Sequence, residues 1–247
     1  MVVLSFGSVF CFAGPQQMAP ASKHPVAVDA KYDWNTNSVA KIEALKLKAD
    51  INHGRDLFIR NCLGCHLQSG SGKTDGTYPQ LAGQHANVLI KQISDIKAGL
   101  RTNPKMRPHT IEITSDQDLA DVTTYISLLD TPHDNGKNSR NPAVLKKGEA
   151  LYKKDCLSCH GPHGEGAESK LFPVLAGQHY KYLLRQMKAI QGGERKNGLP
   201  EMIAVIKNYS AEDLDAIASY TANLKMPTRF FPPTPTPAST PAPAPTK

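Results

Sequence analysis

The sequence predicts an all-α protein built from two tandem modules of the same fold. The segment 54–96 recurs at 148–190, and 17 of the 43 aligned positions are identical, which indicates an internal duplication. Apolar residues within each copy recur at helical steps of three and four, and no alternating apolar pattern of useful length predicts a strand. With 247 residues, the chain is long enough for two small domains.

The duplication and the changes in composition around it divide the chain into six segments. They are a signal peptide (about 1–21), an N-terminal extension (22–50), domain 1 (51–130), a linker (131–143), domain 2 (144–226) and a tail (227–247). The linker is polar and contains glycine, proline and asparagine, and the tail is so rich in proline that we expect it to be disordered.

Residues 2–13 are almost all apolar or small, a pattern that is typical of a signal peptide and too short to span a membrane. Cleavage is expected after Ala13 or Ala21, with export to a periplasm-like compartment. Cys11 is a candidate for lipid attachment, although Phe10 directly before it is not a small residue. An N-terminal core strand is the structural alternative.

Helices are predicted in the extension and twice in each module. The extension should contain a short helix at 39–48, capped by Ser38. The last helix of each module opens with a capping box, in which a serine and an aspartate satisfy the free N–H groups of the first turn. These boxes are Ser115-x-x-Asp118 and Ser210-x-x-Asp213. A middle helix is indicated by the apolar residues Leu89, Ile93 and Ile96 in domain 1, and by Leu183, Met187 and Ile190 in domain 2.

Each module contains one Cys-x-x-Cys-His motif. The motif residues are Cys62, Cys65 and His66 in domain 1, and Cys156, Cys159 and His160 in domain 2. Two cysteines on one helical turn can reach both vinyl groups of a haem, and the histidine then faces the iron from the same side. We therefore expect two covalently bound haem c groups, which also supply the core that such small modules lack. A zinc site would place the pairs about 15–20 residues apart, and a redox dithiol would need a βαβ context.

The sixth ligand of each iron separates a carrier, in which both axial positions are filled, from an enzyme, in which one is open. Met106 and Met202 are the only methionines at corresponding positions of the repeat, and each precedes the capped last helix. They are the expected axial partners of the two histidines. His109 is the rival of Met106. His85 and His179 also repeat, but they come early beside a predicted helix start, so we expect them to be surface or helix-terminus residues.

Pro79 and Pro173 each stand 13 residues after the motif histidine. They are either simple turn prolines or positioning residues. In the second case, the backbone carbonyl accepts the Nδ1–H of the histidine, which fixes the ring and raises its basicity as a ligand.

Together, the tandem motifs, the Pro-x-Leu-Ala-Gly-Gln sequence after each, the late methionines and the Ser-x-x-Asp helix starts resemble the dihaem cytochrome c4 family of class I cytochromes c. The resemblance covers about 54–225. It implies two class I cytochrome c-like domains related by a pseudo-twofold axis, with the haem propionates near their interface. It also implies packing of the first helix of each domain on the last, through Gly54, Phe58 and Tyr125, and through Gly148, Tyr152 and Tyr220.

The function that this resemblance implies is single-electron transfer in the periplasm, between respiratory partners, without catalysis. Two alternatives remain open. One is a dihaem oxidoreductase of the thiosulfate dehydrogenase or peroxidase kind, which needs an open iron. The other is an electron-transfer subunit of a larger dehydrogenase or respiratory complex, with the chain extensions as docking arms.

The net charge of +7 is mildly basic and says little by itself about nucleic acid, which is not an expected partner. The resemblance implies redox protein partners such as a respiratory complex or a terminal oxidase, and a positive docking surface on this chain would favour partners with acidic docking faces. Lys146, Lys147, Lys153 and Lys154 are the candidate docking lysines, unless they only form a solvated face. Peripheral membrane association is a further expectation.

Basic residues cluster in sequence around the first haem motif. They are Lys73, Arg101, Lys105 and Arg107, whereas the second motif has acidic and basic neighbours. Because positive charge near an iron favours the ferrous state, sequence proximity predicts the higher potential for the first haem.

Overall fold

The computed structural model describes Ala44, residues 46–132 and residues 141–226, and every regular element in this part of the chain is helical. Domain 1 contains α1 (Ile51–Asn61), α2 (Leu63–His66), α3 (Ala86–Lys97), α4 (Arg107–Ile111) and α5 (Asp116–Ser127). Domain 2 contains α6 (Pro142–Asp155), α7 (Leu157–His160), α8 (Tyr180–Gln191), α9 (Pro200–Ile206) and α10 (Ala211–Thr221), with a 3-10 turn at Glu168–Lys170. The helices come in the same order in both modules, and the predicted all-α fold is confirmed.

The last helix of each domain begins at its predicted capping box. In α5, the hydroxyl of Ser115 accepts the N–H of Asp118 at 3.0 Å, and the Asp118 carboxylate accepts the N–H of Ser115 at 3.1 Å. Ser210 and Asp213 make the same two hydrogen bonds at the start of α10, at 3.1 Å and 3.0 Å. Both helix starts are therefore determined by local sequence.

The first and last helices of each domain cross at a glycine. A Cβ atom on Gly54 would lie 2.2 Å from the carbonyl oxygen of Asp121, so α1 and α5 can approach this closely only because the side chain is missing. One turn later, the rings of Phe58 and Tyr125 pack with centroids 5.6 Å apart. The packing implied by the family resemblance is confirmed here.

Domain 2 repeats this crossing. Gly148 brings α6 against α10, where a Cβ would lie 2.1 Å from the carbonyl oxygen of Ala216. The rings of Tyr152 and Tyr220 then pack with centroids 5.5 Å apart. The predicted middle helices contribute to both cores. Leu89 of α3 is buried in the core of domain 1, and Leu183 and Met187 of α8 are buried in the core of domain 2.

Several expectations fall on other parts of the chain. The signal peptide, the proline-rich tail, linker residues 133–140 and most of the extension helix at 39–48 lie outside the described residues. Of that helix, Ala44 is helical and fully buried against the core of domain 1, and Lys46 and Leu47 form a turn. Among the described residues, no helix is both long enough and apolar enough to cross a membrane.

Candidate haem sites

Each Cys-x-x-Cys-His motif lies at the junction of two helices. In domain 1, the N–H of Cys62 donates to the carbonyl of Phe58 at 2.8 Å, so the chain continues from α1 into α2 without leaving helical geometry. The N–H of His66 then donates to the Cys62 carbonyl at 2.9 Å. These bonds place Cys62, Cys65 and His66 on a single turn.

Domain 2 builds the same turn from the same contacts. The N–H of Cys156 donates to the Tyr152 carbonyl at 2.8 Å, and the N–H of His160 donates to the Cys156 carbonyl at 2.9 Å, with Cys159 between them. None of the four motif cysteines forms a disulfide. Each module therefore offers two sulfurs and one imidazole on one turn, which is the donor set that a covalently attached haem requires.

The motif histidines are buried and face a proline carbonyl. Nδ1 of His66 lies 3.0 Å from the carbonyl oxygen of Pro79, and Nδ1 of His160 lies 3.1 Å from that of Pro173. Because a carbonyl oxygen can only accept, Nδ1 carries the proton in both rings. Nε2 is left with its lone pair, in the tautomer that binds a metal.

The loop between histidine and proline is held by its own backbone. The N–H of Gly72 donates to the His66 carbonyl at 3.0 Å. Gly72 has a φ of +66°, and a Cβ there would lie 2.4 Å from the Pro79 carbonyl oxygen, so a side chain would displace the group that faces the histidine. Gly166 occupies the same place in domain 2, with a φ of +69°.

Burial sets the protonation of both kinds of motif side chain. It raises the pKa of the Cys62 thiol to about 12 and that of Cys156 also to about 12. It lowers the pKa of His66 and of His160, and the hydrogen bonds to the proline carbonyls oppose this only in part. Burial thus favours the neutral form of both imidazoles, which is the form that binds iron.

The described part of the chain brings no three His, Cys, Asp or Glu side chains together as a metal-ion site requires. The zinc alternative therefore has no geometric support there, and the haem donor set is the one that the residues fit.

Both candidate methionines lie in or at the short fourth helix of their domain. Met106 is half-buried at the N-cap position of α4, and Met202 lies within α9, packed against the core of domain 2. His109 is exposed on α4, and its charge contributes to the lowered pKa of His66. The segment that carries Met106 and His109 is therefore near the first motif histidine.

His85 and His179 occupy the N-cap positions of α3 and α8, as expected for helix-terminus residues. Each reaches across to the other domain: Nε2 of His85 lies 2.8 Å from the carbonyl oxygen of Glu165, and Nε2 of His179 lies 2.7 Å from that of Ser71. His179 is buried at its helix terminus, because the two domains meet there.

The same interface contains buried charges that sequence reasoning missed. Lys91 and Asp95 of α3 form an ion pair, and Nδ2 of Asn197 in domain 2 donates to the Asp95 carboxylate at 2.8 Å. A lysine and an aspartate four residues apart on this helix were the available signal. Such a pair is common on solvated helix faces, and the sequence alone does not distinguish the two cases.

Arg101 also lies at the interface and not beside the first motif alone. Its guanidinium donates to Gln92 of its own domain at 2.7 Å, and to Tyr182 and Gln186 of domain 2 at 2.9 Å each. Burial tends to raise the pKa of Tyr182, but the guanidiniums of Arg101 and Arg195 outweigh it and lower that pKa. Sequence proximity therefore describes only part of the surroundings of Arg101, because its guanidinium contacts both domains.

Three of the four candidate docking lysines are paired within the molecule. Lys147 lies 2.7 Å from Asp213, Lys153 lies 2.6 Å from Glu149, and Lys154 lies 3.5 Å from Asp155. Lys146 is exposed. Each of these three lysines is thus partnered by a carboxylate of its own domain.

The cytochrome c family model matches this chain twice, at residues 51–130 and 145–225. The chain is 33% identical to cytochrome c4 of Azotobacter vinelandii over 181 residues, which cover 66% of this chain and 84% of that protein. It is 29% identical to a thiosulfate dehydrogenase electron acceptor of Stutzerimonas stutzeri over 208 residues, which cover 77% of this chain and 94% of that protein.

Two solved structures are similar in fold as well as in sequence. Reduced recombinant cytochrome c4 from Pseudomonas stutzeri superimposes with a TM-score of 0.63 at 32% identity, over 71% of this chain and 99% of that one. A thiosulfate dehydrogenase from Marichromatium purpuratum also gives a TM-score of 0.63, at 33% identity, over 75% of this chain and 43% of that one.

Proposed function

Because the chain belongs to the dihaem cytochrome c4 family, whose members transfer electrons, we propose that it carries single electrons between redox proteins of the periplasm and catalyses no reaction of its own. Membership of the family means that it has two covalently bound haem c groups and redox protein partners.

We assign the same set of residues to each haem. Cys62 and Cys65 would form the thioether bonds of the first haem, and His66 and Met106 would hold its iron. Cys156 and Cys159 would attach the second haem, and His160 and Met202 would hold its iron. The haem would supply the exchange of one electron between ferric and ferrous iron. The carbonyls of Pro79 and Pro173 would orient the imidazoles, and the methionines would keep water and small ligands from the iron.

The equivalence of the two sites is the observation that supports a carrier. The distances from Nδ1 to the proline carbonyl are 3.0 Å for His66 and 3.1 Å for His160, and the turns that hold the cysteines have matching hydrogen bonds. A catalytic dihaem protein needs one site that differs, with an open or replaceable ligand. Here both domains have a methionine in the segment that precedes the capped last helix, Met106 at the N-cap of α4 and Met202 within α9.

Carbon monoxide binding tests the ligand assignment. The ferrous protein should not bind carbon monoxide, whereas Met106→Ala and Met202→Ala should each bind one equivalent and lose part of the weak far-red band of methionine-ligated ferric haem. His109→Ala is the matched control on the same helix as Met106 and should leave the spectrum unchanged. If the parent protein binds carbon monoxide, one site is open and the catalytic alternative is favoured.

A second candidate function is electron acceptance from a thiosulfate-oxidising enzyme. A relative named as the electron acceptor of thiosulfate dehydrogenase aligns with 77% of this chain, and 43% of a solved thiosulfate dehydrogenase chain is similar to it in fold. Thiosulfate alone should leave the oxidised protein unreduced, and thiosulfate with a thiosulfate dehydrogenase should reduce both haems. Reduction by thiosulfate alone would make the chain itself the enzyme.

The proposed compartment and segment boundaries have their own test. Signal peptide cleavage after Ala13 or Ala21 would leave a mature protein that starts at Gly14 or Ser22, with an extension, two domains and a proline-rich tail. N-terminal sequencing of the haem-containing protein from the periplasmic fraction checks both the compartment and the cleavage site. Release from membranes by high salt would identify a peripheral association that depends on charge.

A further inference from the structure

Two glutamines bridge the domains in the same way, and they are equivalent in the repeat. Nε2 of Gln84 donates to the carbonyl of Val174 at 3.0 Å, and Oε1 of Gln84 accepts the N–H of Val174 at 2.9 Å. Nε2 of Gln178 donates to the carbonyl of Gln80 at 2.9 Å, and Oε1 of Gln178 accepts the N–H of Gln80 at 3.0 Å. We call these two contacts the glutamine clamps.

The orientation of each clamp amide is determined by a third hydrogen bond. Oε1 of Gln84 also accepts the N–H of His85 at 3.1 Å, and Oε1 of Gln178 accepts the N–H of His179 at 3.0 Å. A flipped amide would place its NH2 group against two N–H donors, so only one orientation is compatible with both neighbours. The rings of His85 and His179 bond to the backbone carbonyls of Glu165 and Ser71, as described above. Each glutamine clamp is therefore accompanied by a second contact, from the adjacent histidine, to the other domain.

The clamped residues directly follow the prolines that face the motif histidines. Val174 follows Pro173, and the N–H of Val174 shares a planar peptide unit with the Pro173 carbonyl that lies 3.1 Å from Nδ1 of His160. The hydrogen bonds therefore run in one line: from the Gln84 amide oxygen, through this peptide, to the imidazole of His160. The corresponding line runs from Gln178, through the peptide of Pro79 and Gln80, to His66.

We propose that Gln84 and Gln178 are positioning residues that act across the domain interface, each setting the hydrogen bond that orients the axial histidine of the other domain's haem. An N–H that donates to the glutamine polarises its peptide and makes the carbonyl a better acceptor. A better acceptor draws the Nδ1 proton and makes the imidazole a more basic ligand. A more basic ligand favours ferric iron, so each clamp lowers the potential of the haem in the other domain.

The location of the clamps strengthens this effect. Gln178 and Gln80 are both buried, and Gln84 is half-buried between the domains. Away from water, each hydrogen bond in such a line is stronger than at the surface, and water does not compete for the peptide groups. The proposal rests on the assignment of His66 and His160 as axial ligands.

Isosteric variants test the crossed action. Gln84→Met keeps the side-chain length and removes both clamp bonds to Val174, and Gln178→Met does the same at Gln80. The potentials of the two haems are followed separately by NMR, through the hyperfine-shifted Nδ1–H resonances of protein labelled with 15N-histidine. His66 is identified by its contact with the Tyr78 ring, whose centroid is 6.1 Å away, and His160 by that with Phe172, at 6.4 Å.

Gln84→Met should raise the potential of the second haem and leave the first unchanged. At a fixed solution potential, we expect the ratio of reduced to oxidised second haem to rise at least ~3-fold, or about 28 mV for a one-electron couple in which tenfold is 59 mV. Gln178→Met should raise the potential of the first haem alone. Gln117→Met is the matched control, because Gln117 donates to Lys48 of the extension and to Asp121 of domain 1, makes neither contact across the domain interface, and should affect neither potential.

Equal shifts of both haems, or a shift in the variant's own domain, would overturn the proposal by showing general or local packing effects. If Gln84→Met does not hold two haems, Gln84→Glu keeps an acceptor for the Val174 N–H, loses the NH2 donor and adds a negative charge. Because a carboxylate is a stronger acceptor than an amide oxygen, the potential of the second haem should fall by more than that of the first, and the reverse would contradict the clamp. Unshifted Nδ1–H resonances in the unsubstituted ferric protein would instead contradict the axial assignment, and the proposal with it.

Discussion

Lys91 and Asp95 form an ion pair on one helix, and neither side chain is more than 3% exposed. Buried charges lose their hydration, so a pair of this kind is retained only when each charge compensates the other and further hydrogen bonds satisfy the remaining groups. Asn197 contributes such bonds from domain 2: its Nδ2 donates to Asp95, and its carbonyl accepts from Lys91 at 3.3 Å. The pair therefore links the two domains.

Removing the carboxylate should be costly. Asp95→Asn leaves the Lys91 ammonium buried without its counter-charge, and the loss of one partner of a buried pair typically lowers the free energy of unfolding by about 3–5 kcal/mol. Denaturant unfolding of the haem-loaded protein measures this loss. The control is Asp56→Asn, which removes an exposed partner of Arg55 at 3.3 Å and should cost at most about 1 kcal/mol. If Asp95→Asn and Asp56→Asn lower the free energy of unfolding equally, burial does not account for the effect of the Asp95 substitution.

At the scale of helices, the crossing of α6 and α10 depends on Gly148. Gly148→Ala would place a Cβ 2.1 Å from the Ala216 carbonyl oxygen, a backbone atom that cannot move without its helix. Overpacking of this kind typically costs about 1–3 kcal/mol, and it should separate the rings of Tyr152 and Tyr220. Thermal unfolding and the near-ultraviolet signal of these tyrosines measure the two effects.

Gly64→Ala is the matched control for this crossing. No atom lies within 4 Å of a Cβ built at Gly64, and Ser158 occupies the equivalent position in domain 2, so a side chain is tolerated there. Its thermal midpoint should stay close to that of the parent. A loss as large as that of Gly148→Ala would show that helix crossing is not the cause.

The capping box of α10 predicts a contribution to acid sensitivity. Lys147 donates to the Asp213 carboxylate and so do the groups of Ser210, which together lower the pKa of Asp213 below its ordinary value of 3.8. Since the folded-state pKa is depressed, the ionised carboxylate stabilises the fold above the unfolded-state value, and this stability is lost as the pH falls through the folded-state pKa.

Asp213→Asn should therefore lower the thermal midpoint at neutral pH and make it less dependent on pH. The difference between variant and parent should shrink when the pH is taken below 3.8, where Asp213 of the parent begins to be protonated. Thermal scans at a series of pH values measure this convergence. Parallel curves for the two proteins would mean that another group carries the pH dependence.

At the scale of the whole molecule, the interface charges act on both domains. Arg101 and Arg195 meet there, and both guanidiniums donate to Gln92 and Gln186. Burial, together with the charge of Arg101, lowers the pKa of Arg195, which shows that the cations at this interface repel one another. Their field is shared between the domains.

Arg101→Gln should lower the potentials of both haems, because a nearby positive charge favours the ferrous state and this one lies between the two domains. A redox titration that resolves the haems measures it. Lys105→Gln is the control: Lys105 is exposed near the first methionine, where solvent screens its charge, and it should have a smaller effect. If only the potential of the first haem shifts, the result would support the prediction from sequence proximity that Arg101 acts on that haem alone.

The features that were predictable from the residues are those that a short stretch of chain encodes. The two haem motifs follow from the spacing of Cys62, Cys65 and His66 on one turn, because three residues make almost one turn of helix. The starts of α5 and α10 follow from serines and aspartates three residues apart. Because the chain is duplicated, each of these patterns occurs twice, and the repeat by itself predicts two domains.

The interface could not be read in this way. Gln84 and Val174 are 90 residues apart, and His179 and Ser71 are 108 apart. The repeat marked Gln84, His85 and their equivalents as identical, yet identity in a repeat does not say whether a residue faces its own domain or the other. Lys91, Asp95 and Arg101 carried the ordinary pattern of a solvated helix and loop. They are buried because two surfaces that are distant along the chain come into contact. Hydrogen bonds between such surfaces produce no regular spacing of residues that sequence analysis could detect.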